Sequence, residues 1–379
     1  MVILTVAIFT DIGVFGNAGK FIYYLAFTML FWLAYTVYTI PYYAVVAEIT
    51  PDYDERTDIR GLSALINAAG IFTGNAVPAI LPAAIIGLGF SARMGWLGTA
   101  IVLSLLSITF AVIAVKSLKN VVLKKADAVS GGEKRTAKDI FVTFIQVLKI
   151  KPFKWFVLFV FTFLITSSMI QSNFVYLIKV CLGMSSSDTM VIVIVVLVAT
   201  IALMTPIVTK VAEIKDRRIA TLLFFSISFA GLVAGKIIGI NSLTMLIYDA
   251  FFMAVGAACF WTVFYSMAYD LVEVDEFVSG KRREGVITAL PQFFQKFGSA
   301  VGMWLVSLVL KLAGYDSGNA AAGIIENSST IIPAAFLAVS IFGAVMFPVT
   351  KKRFHKLQEA LAKKNLGEEY DTTGLERLI

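Results

Sequence analysis

The sequence predicts an all-α polytopic membrane protein of ten helices, divided four and six by a basic linker. Three observations predict it. Hydrophobic residues make up 59% of the 379 and charged residues only 15%, against about 25% charged in soluble domains. Mean hydropathy is +0.85, so the chain cannot cover itself with a polar surface. The apolar residues also gather into long runs, and threading those runs across a bilayer segregates the basic residues to one side.

The runs follow in order. Residues 1–18 meet Asp11 after ten apolar positions, short of the roughly 20 needed to cross a ~30 Å hydrocarbon core. This run has no basic n-region and no small-residue cleavage site, so it is read as the remaining part of a helix and not as a signal peptide. Residues 21–47, 61–88 and 94–115 complete a first bundle over 1–115. The polar interval 116–152 is the linker. Runs at 153–180, 189–209, 219–240, 242–269, 286–313 and 329–350 make a second bundle over 153–350, and 351–379 form a polar tail. Spanning strands are excluded, because only a closed barrel satisfies their backbone and these runs are far too long.

Charge sets the expected orientation. With residue 1 inside, 26 of the 32 Lys/Arg fall in inner loops, linker and tail, five fall outside, and Lys296 alone lies within a run. That asymmetry is the positive-inside pattern, so both termini are expected in the cytoplasm of a cell-membrane protein. The pI of about 9.2 then reports basic inner loops and not a nucleic-acid partner. Cys181 and Cys259 are too few for a disulfide framework or a metal cluster, and the single histidine, His355, lies in the tail. No ligand cluster, phosphate-cradling glycine loop or nucleophile elbow is present, so no enzyme, cofactor or metal site is expected. Two bundles joined by a basic linker suggest a transporter of two parallel halves. Six plus six helices is the usual plan, so two N-terminal helices are expected to be missing.

Polar residues within the runs are the candidate site. Lys296 lies about 16 Å into its helix, where a lysine snorkels poorly. Thr288, Gln292, Lys296 and Ser299, with Gln295 beside them, form one stripe. The functional reading is an inward-facing lysine; the plain one is a lysine tying two helices. Ser168, Gln171, Ser172 and Tyr176, with Asn173 adjacent, form a second stripe, which either glues helices or lines a cavity. Trp261, Tyr265 and Tyr269 form an aromatic stripe, either packing or a wall on which a sugar stacks. Pro41 interrupts an apolar helix among Thr36, Thr39, Tyr42 and Tyr43, and predicts a kink. Two mixed-charge loops occupy equivalent inner positions in the halves: PDYDERTDIRG, with Asp52, Glu55, Arg56 and Arg60, and LVEVDEFVSGKRRE at 271–284, with Asp275, Glu276, Arg282 and Arg283. Such charges either latch an inner gate or simply set topology. The shorter KVAEIKDRR at 210–218 resembles a further inner gating turn.

VDEFVSGKRREGVITALPQFFQKFGSAVG and YTVYTIPYYAVVAEITPDYDER resemble the glycoside–pentoside–hexuronide:cation symporters of the major facilitator superfamily. The resemblance runs from that family's third helix to its twelfth and the tail. It implies twelve helices in two bundles, sugar uptake driven by Na⁺ or H⁺, and alternating access around a midplane site. It also implies roles for residues. Lys296 matches a lysine near both sugar and cation, with Gln292 and Gln295 at neighbouring sugar-facing positions. Trp261 matches an aromatic bordering the sugar, and Thr36 a hydroxyl at the cation site. Tyr43 stands where one branch has a tryptophan. Thr39 replaces the usual Asp or Asn before Ile-Pro, and the family's next arginine falls near Ala64, a turn after Arg60. These departures point to a different sugar. The family's first two helices, absent from this chain, carry its cation carboxylates.

The expected function is therefore secondary active symport of a sugar or glycoside with a cation, by a monomer in the lipid bilayer, with Gln171 a further candidate lining residue. A carrier of an amphiphile such as a lysolipid, and a truncated non-transporting remnant or sensor, are the alternatives.

Overall fold

The structure is a computed structural model. It describes all residues except 11, 14–15, 49–65, 67–69, 71–72, 75–76, 79, 127–136, 185, 281–282, 316–321, 367, 377 and 379. Only the backbone is described at 39–48, 118–126, 137–141, 186–188, 265, 269, 284–285, 288 and 365.

Most of the described residues are helical, and among them eight helices are long and apolar enough to cross a membrane. The chain is an all-α polytopic membrane protein. Compact units comprise Met1–Lys134 and Arg135–Ile379, dividing within the polar interval 116–152.

In the first unit, α1 (Val2–Ile8) packs on α2 (Asn17–Glu48) and α3 (Ala92–Ala126). The seven residues of α1 cover only about 10 Å, less than a membrane. Tyr23 Oη donates to the Ala7 carbonyl at 3.1 Å and Tyr24 Oη to that of Thr10 at 3.2 Å, closing the gap between the two helices. Residues 80–87 are helical and pack on α3 at Gly95, where an added Cβ would meet the Pro82 carbonyl at 3.0 Å. One side of α2 presents Phe21, Leu25, Met29 and Leu33, all exposed, as suits a surface solvated by lipid tails.

The second unit is built around α5 (Lys151–Tyr176), which ends in a π turn (Leu177–Cys181). Around it stand α6 (Ser186–Ile214), α7 (Arg217–Ile238), α8 (Leu243–Ser279), α9 (Glu284–Leu312), α10 (Ala322–Ser329) and α11 (Ile331–Met346). The amphipathic α4 (Ala137–Lys149) precedes α5, and α12 (Lys351–Leu366) closes the chain. Aromatic rings knit the centre: Phe163 stacks on Phe260 at 4.4 Å and on Phe225 at 4.9 Å. Lipid tails are as apolar as these side chains, so close packing and hydrogen bonds must hold membrane helices together. Gly298 and Gly302 of α9 press on α5; a Cβ there would meet the carbonyls of Phe161 at 2.6 Å and Ile165 at 2.7 Å. Ser340 Oγ donates to the Phe159 carbonyl at 2.9 Å, and Thr166 Oγ1 to the Pro333 carbonyl at 3.0 Å, tying α11 to α5.

Several sequence-derived boundaries need correction. The expected loop at 271–284 is mostly helix, because α8 continues to Ser279. Leu271, Val274 and Phe277 recur at helical spacing and are buried, and Gly280 ends the helix in the left-handed conformation at φ 66°. Further support comes from α12: Lys364 Nζ donates to the Phe277 carbonyl at 2.7 Å. The expected loop at 210–218 shrinks to a turn, since α6 runs to Ile214 and α7 starts at Arg217. Asp216 caps α7 by accepting from the Arg218 N–H at 2.8 Å. The last span starts at Ala322 and not near 329, because α10 and α11 form one membrane-crossing segment. Pro333, lacking an N–H, and hydroxyl bonds from Ser328, Ser329 and Thr330 to carbonyls at 325 and 326 mark the break at Thr330.

Candidate functional site

The parallel contact of α5 and α9 sets the depth of each candidate residue. Gly298 lies against Phe161, and Gly302 against Ile165 and Ser168. At 3.6 residues per turn, Gln295 and Ser299 stand beside this contact line and are half-buried. Gln292 and Lys296 turn further from it and are exposed. The predicted stripe is thus continuous and flanks the packed face; the side chain of Thr288 is outside the described residues. Phe293 and Phe297, stacked at 6.0 Å, border the lysine.

Lys296 lies level with Phe159 of α5. The Phe159 ring is 5.6 Å from Phe260, the neighbour of Trp261 on α8. Trp261 and Lys296 therefore share one depth in the second unit. Trp261 is 43% exposed, with its edge on Phe260 and Phe264 at 5.2 and 6.4 Å. The side chains of Tyr265 and Tyr269 are outside the described residues.

The second stripe splits. Asn173 is fully buried and donates to the Ile325 carbonyl at 2.8 Å, so it joins α5 to α10. Gln171 is exposed, and its Nε2 meets Ser167 Oγ at 2.8 Å. With Lys296 level with Phe159, Gln171 lies about 18 Å further along α5, too far for one ligand-sized cluster of hydrogen bonds.

In the first unit, Thr36 is exposed and its Oγ1 returns to the Trp32 carbonyl at 2.8 Å. The backbones of Thr39 and Tyr43 lie in α2, but their side chains, like Asp52, Glu55, Arg56 and Arg60, fall outside the described residues. So does Arg282.

At one end of the second unit, charged residues are interlocked. Asp275 is fully buried, and Arg283 holds it with two hydrogen bonds, one of them Nε to Oδ2 at 3.0 Å. The bond to Asp275 raises the guanidinium above its ordinary pKa. The same guanidinium donates to Gln146 of α4 at 2.8 Å. Glu276, next to Asp275, is half-buried. Sequence reasoning missed a second pair, Arg217–Asp270, which joins α7 to α8 beside a cavity of about 440 Å³ lined also by Glu213, Ser266, Lys351 and His355. At the other end, Lys236 pairs with Glu326 at 3.3 Å, and Asp249 is buried within α8. Each of these acids interrupts an apolar run, a signal the sequence carries.

Comparison with known proteins adds an independent line. A family model described as MFS/sugar transport protein matches residues 1–351. An uncharacterized symporter of Synechocystis sp. is 24% identical, covering 90% of this chain and 77% of its own. The uncharacterized symporter YnaJ of Bacillus subtilis is also 24% identical, over 96% of this chain and 77% of its own. A glucuronide carrier protein homolog of Escherichia coli K12 is 22% identical over 51% and 43%. Polar stripes on membrane helices, charged locks at one end of a bundle and a family match spanning nearly the whole chain agree: this multi-pass membrane protein belongs to the MFS/sugar transport protein family of transporters.

Proposed function

We propose that the protein is a secondary active carrier that moves a sugar or glycoside together with Na⁺ or H⁺ by alternating access around a midplane site. It would work as a monomer in the cell membrane with both termini cytoplasmic. The observation that carries this reading is the shared depth of Lys296 and Trp261, with Gln292 and Gln295 on the lysine's stripe. An ammonium and two amides can donate to sugar hydroxyls, and an exposed indole offers the flat apolar face on which a pyranose stacks. A lysine also repels a bound cation unless an anionic partner accompanies it, which gives an electrostatic route for coupling sugar to ion.

In this reading Thr36 belongs to the cation site, while Thr39, Tyr43 and Gln171 line the path. The charged residues Asp52, Glu55, Arg56, Arg60, Asp275, Glu276, Arg282 and Arg283 stabilise closure on the inner side. The Asp275–Arg283 pair is made within one unit, so it braces the α8–α9 corner.

A competition assay on protein reconstituted into vesicles tests this. Radiolabelled glycoside uptake driven by an inward cation gradient is expected, with unlabelled sugars competing and lysolipids not. Displacement by lysolipids but not sugars would assign the carrier to amphiphiles instead.

A further inference from the structure

Asp249 has a place in the fold that the sugar site does not account for. It lies about 9 Å into α8, is 1% exposed, and neither carboxylate oxygen has a hydrogen-bond partner among the described residues. A second buried acceptor is in the same condition. Asn173 is fully buried; its Nδ2 is spent on the Ile325 carbonyl, and its Oδ1 has no donor among the described residues. Asn173 bonds Ile325, and the adjoining Glu326 acts electrostatically on Asp249.

Among the described residues, the groups around Asp249 do not neutralise it. Glu326 of α10 already has its own partners, Lys236 of α7 at 3.3 Å and the Ile240 N–H at 3.1 Å. The Cys181 thiol on the π turn is influenced by that same glutamate. Leu246, Ala250 and Met253, on the same helix, are buried apolar side chains. Both Asp249 oxygens are acceptors, so whatever satisfies them must bring positive charge or a donated hydrogen. An unpaired carboxylate there is strongly disfavoured even after relaxation, and a buried acceptor without a donor forfeits its lost hydration. A Na⁺ ion needs a shell of several oxygens, while both Asp249 oxygens are closed off from solvent. A proton needs no space.

We propose that Asp249 is a proton-binding site of the second unit, its carboxyl held as the neutral acid in this conformation. The O–H supplies a donor where only acceptors stand. The proton comes from water and returns to it when the ends of α5, α7 and α10 around Glu326 part. Its use as a driving ion rests on the carrier reading above, but the site itself does not.

The test uses the full chain in lipid nanodiscs. Infrared spectra across a pH titration should show the carbonyl stretch of a buried protonated acid, shifted in D₂O and absent from Asp249→Asn. Because that variant can fail to fold, the native protein is also treated with a membrane-soluble carbodiimide, which modifies protonated carboxyls in apolar surroundings. Peptide mass spectrometry should find the adduct on Asp249, decreasing as pH rises. An ionised Asp249 held by buried water would give neither the band nor the adduct, and that result overturns the proposal. Lack of sugar uptake in the same preparation would count against the carrier reading while leaving this result intact.

Discussion

The guanidinium of Arg283 grips the fully buried carboxylate of Asp275 across the corner where α8 gives way to α9. Removing one partner of a buried pair strands the other's charge, a loss of about 3–5 kcal/mol, whereas apolar replacement of both is often nearly neutral. Arg283→Ala should therefore lower the thermal unfolding midpoint sharply. The double substitution Arg283→Leu/Asp275→Leu should recover much of the loss. Equal loss in the single and double variants would show that the pair is not what holds this corner.

The α5–α9 seam makes a steric prediction. A Cβ on Gly298 or Gly302 would press on backbone carbonyls at 2.6 and 2.7 Å, and backbone cannot step aside as a side chain end can. Gly302→Val should destabilise the protein by at least the roughly 1–3 kcal/mol typical of overpacking, read as a fall in melting temperature by fluorescence size-exclusion. Gly183→Ala is an uninformative control because its φ is positive; Gly323→Ala, with open space around its Cα, should leave the midpoint unchanged.

Strong acid should loosen the tail. Asp371 accepts from the Thr373 hydroxyl and N–H, with Lys356 at 3.5 Å, and these contacts hold its carboxyl below the ordinary 3.8. A depressed carboxylate stabilises above its unfolded value and loses that contribution as pH falls through the folded one. Amide exchange at Thr373 should accordingly quicken only below about pH 4. Exchange that is flat across that range would contradict the linkage.

Orientation can be read from the two thiols. Cys181 is half-buried on the π turn and Cys259 is fully buried. If both termini are inside, as proposed, the π turn faces outward. A membrane-impermeant maleimide added to intact cells should label Cys181 and spare Cys259, and Cys181→Ser should abolish labelling. Labelling only after the cells are opened would invert the proposed topology.

The sequence made the class and most of the spans legible because apolar runs and basic loops are local signals. It misplaced helix ends for a physical reason. The acids of LVEVDEFVS look like a loop by charge, yet Leu271, Val274 and Phe277 keep the helix periodicity and bury one side while the charges take the other. Pairings between distant residues, such as Arg217 with Asp270, 53 positions away, have no local periodicity to reveal them. Asp249 was visible as a carboxylate in an apolar run, but its lack of hydrogen-bond partners among the described residues emerges only from the packing around it. The Lys296 stripe was visible as polar residues recurring at helical spacing. What spacing could not supply was its level relative to Trp261 and Gln171, which depends on how α5 seats against α8 and α9.

Trp261 gives a graded test of the stacking role. Trp261→Ala should weaken glycoside affinity about tenfold, equivalent to about 1.4 kcal/mol. Trp261→Phe should restore most of it, as an aromatic face is retained. Equal affinities in all three proteins would reduce the indole to packing.

The central claim is that Lys296 serves the transported sugar and its coupling ion. The most direct measurement is cation-driven glycoside uptake into proteoliposomes by Lys296→Ala beside the native protein, at matched insertion and fold. The account predicts that gradient-driven accumulation is lost in the variant. Unchanged accumulation would contradict it.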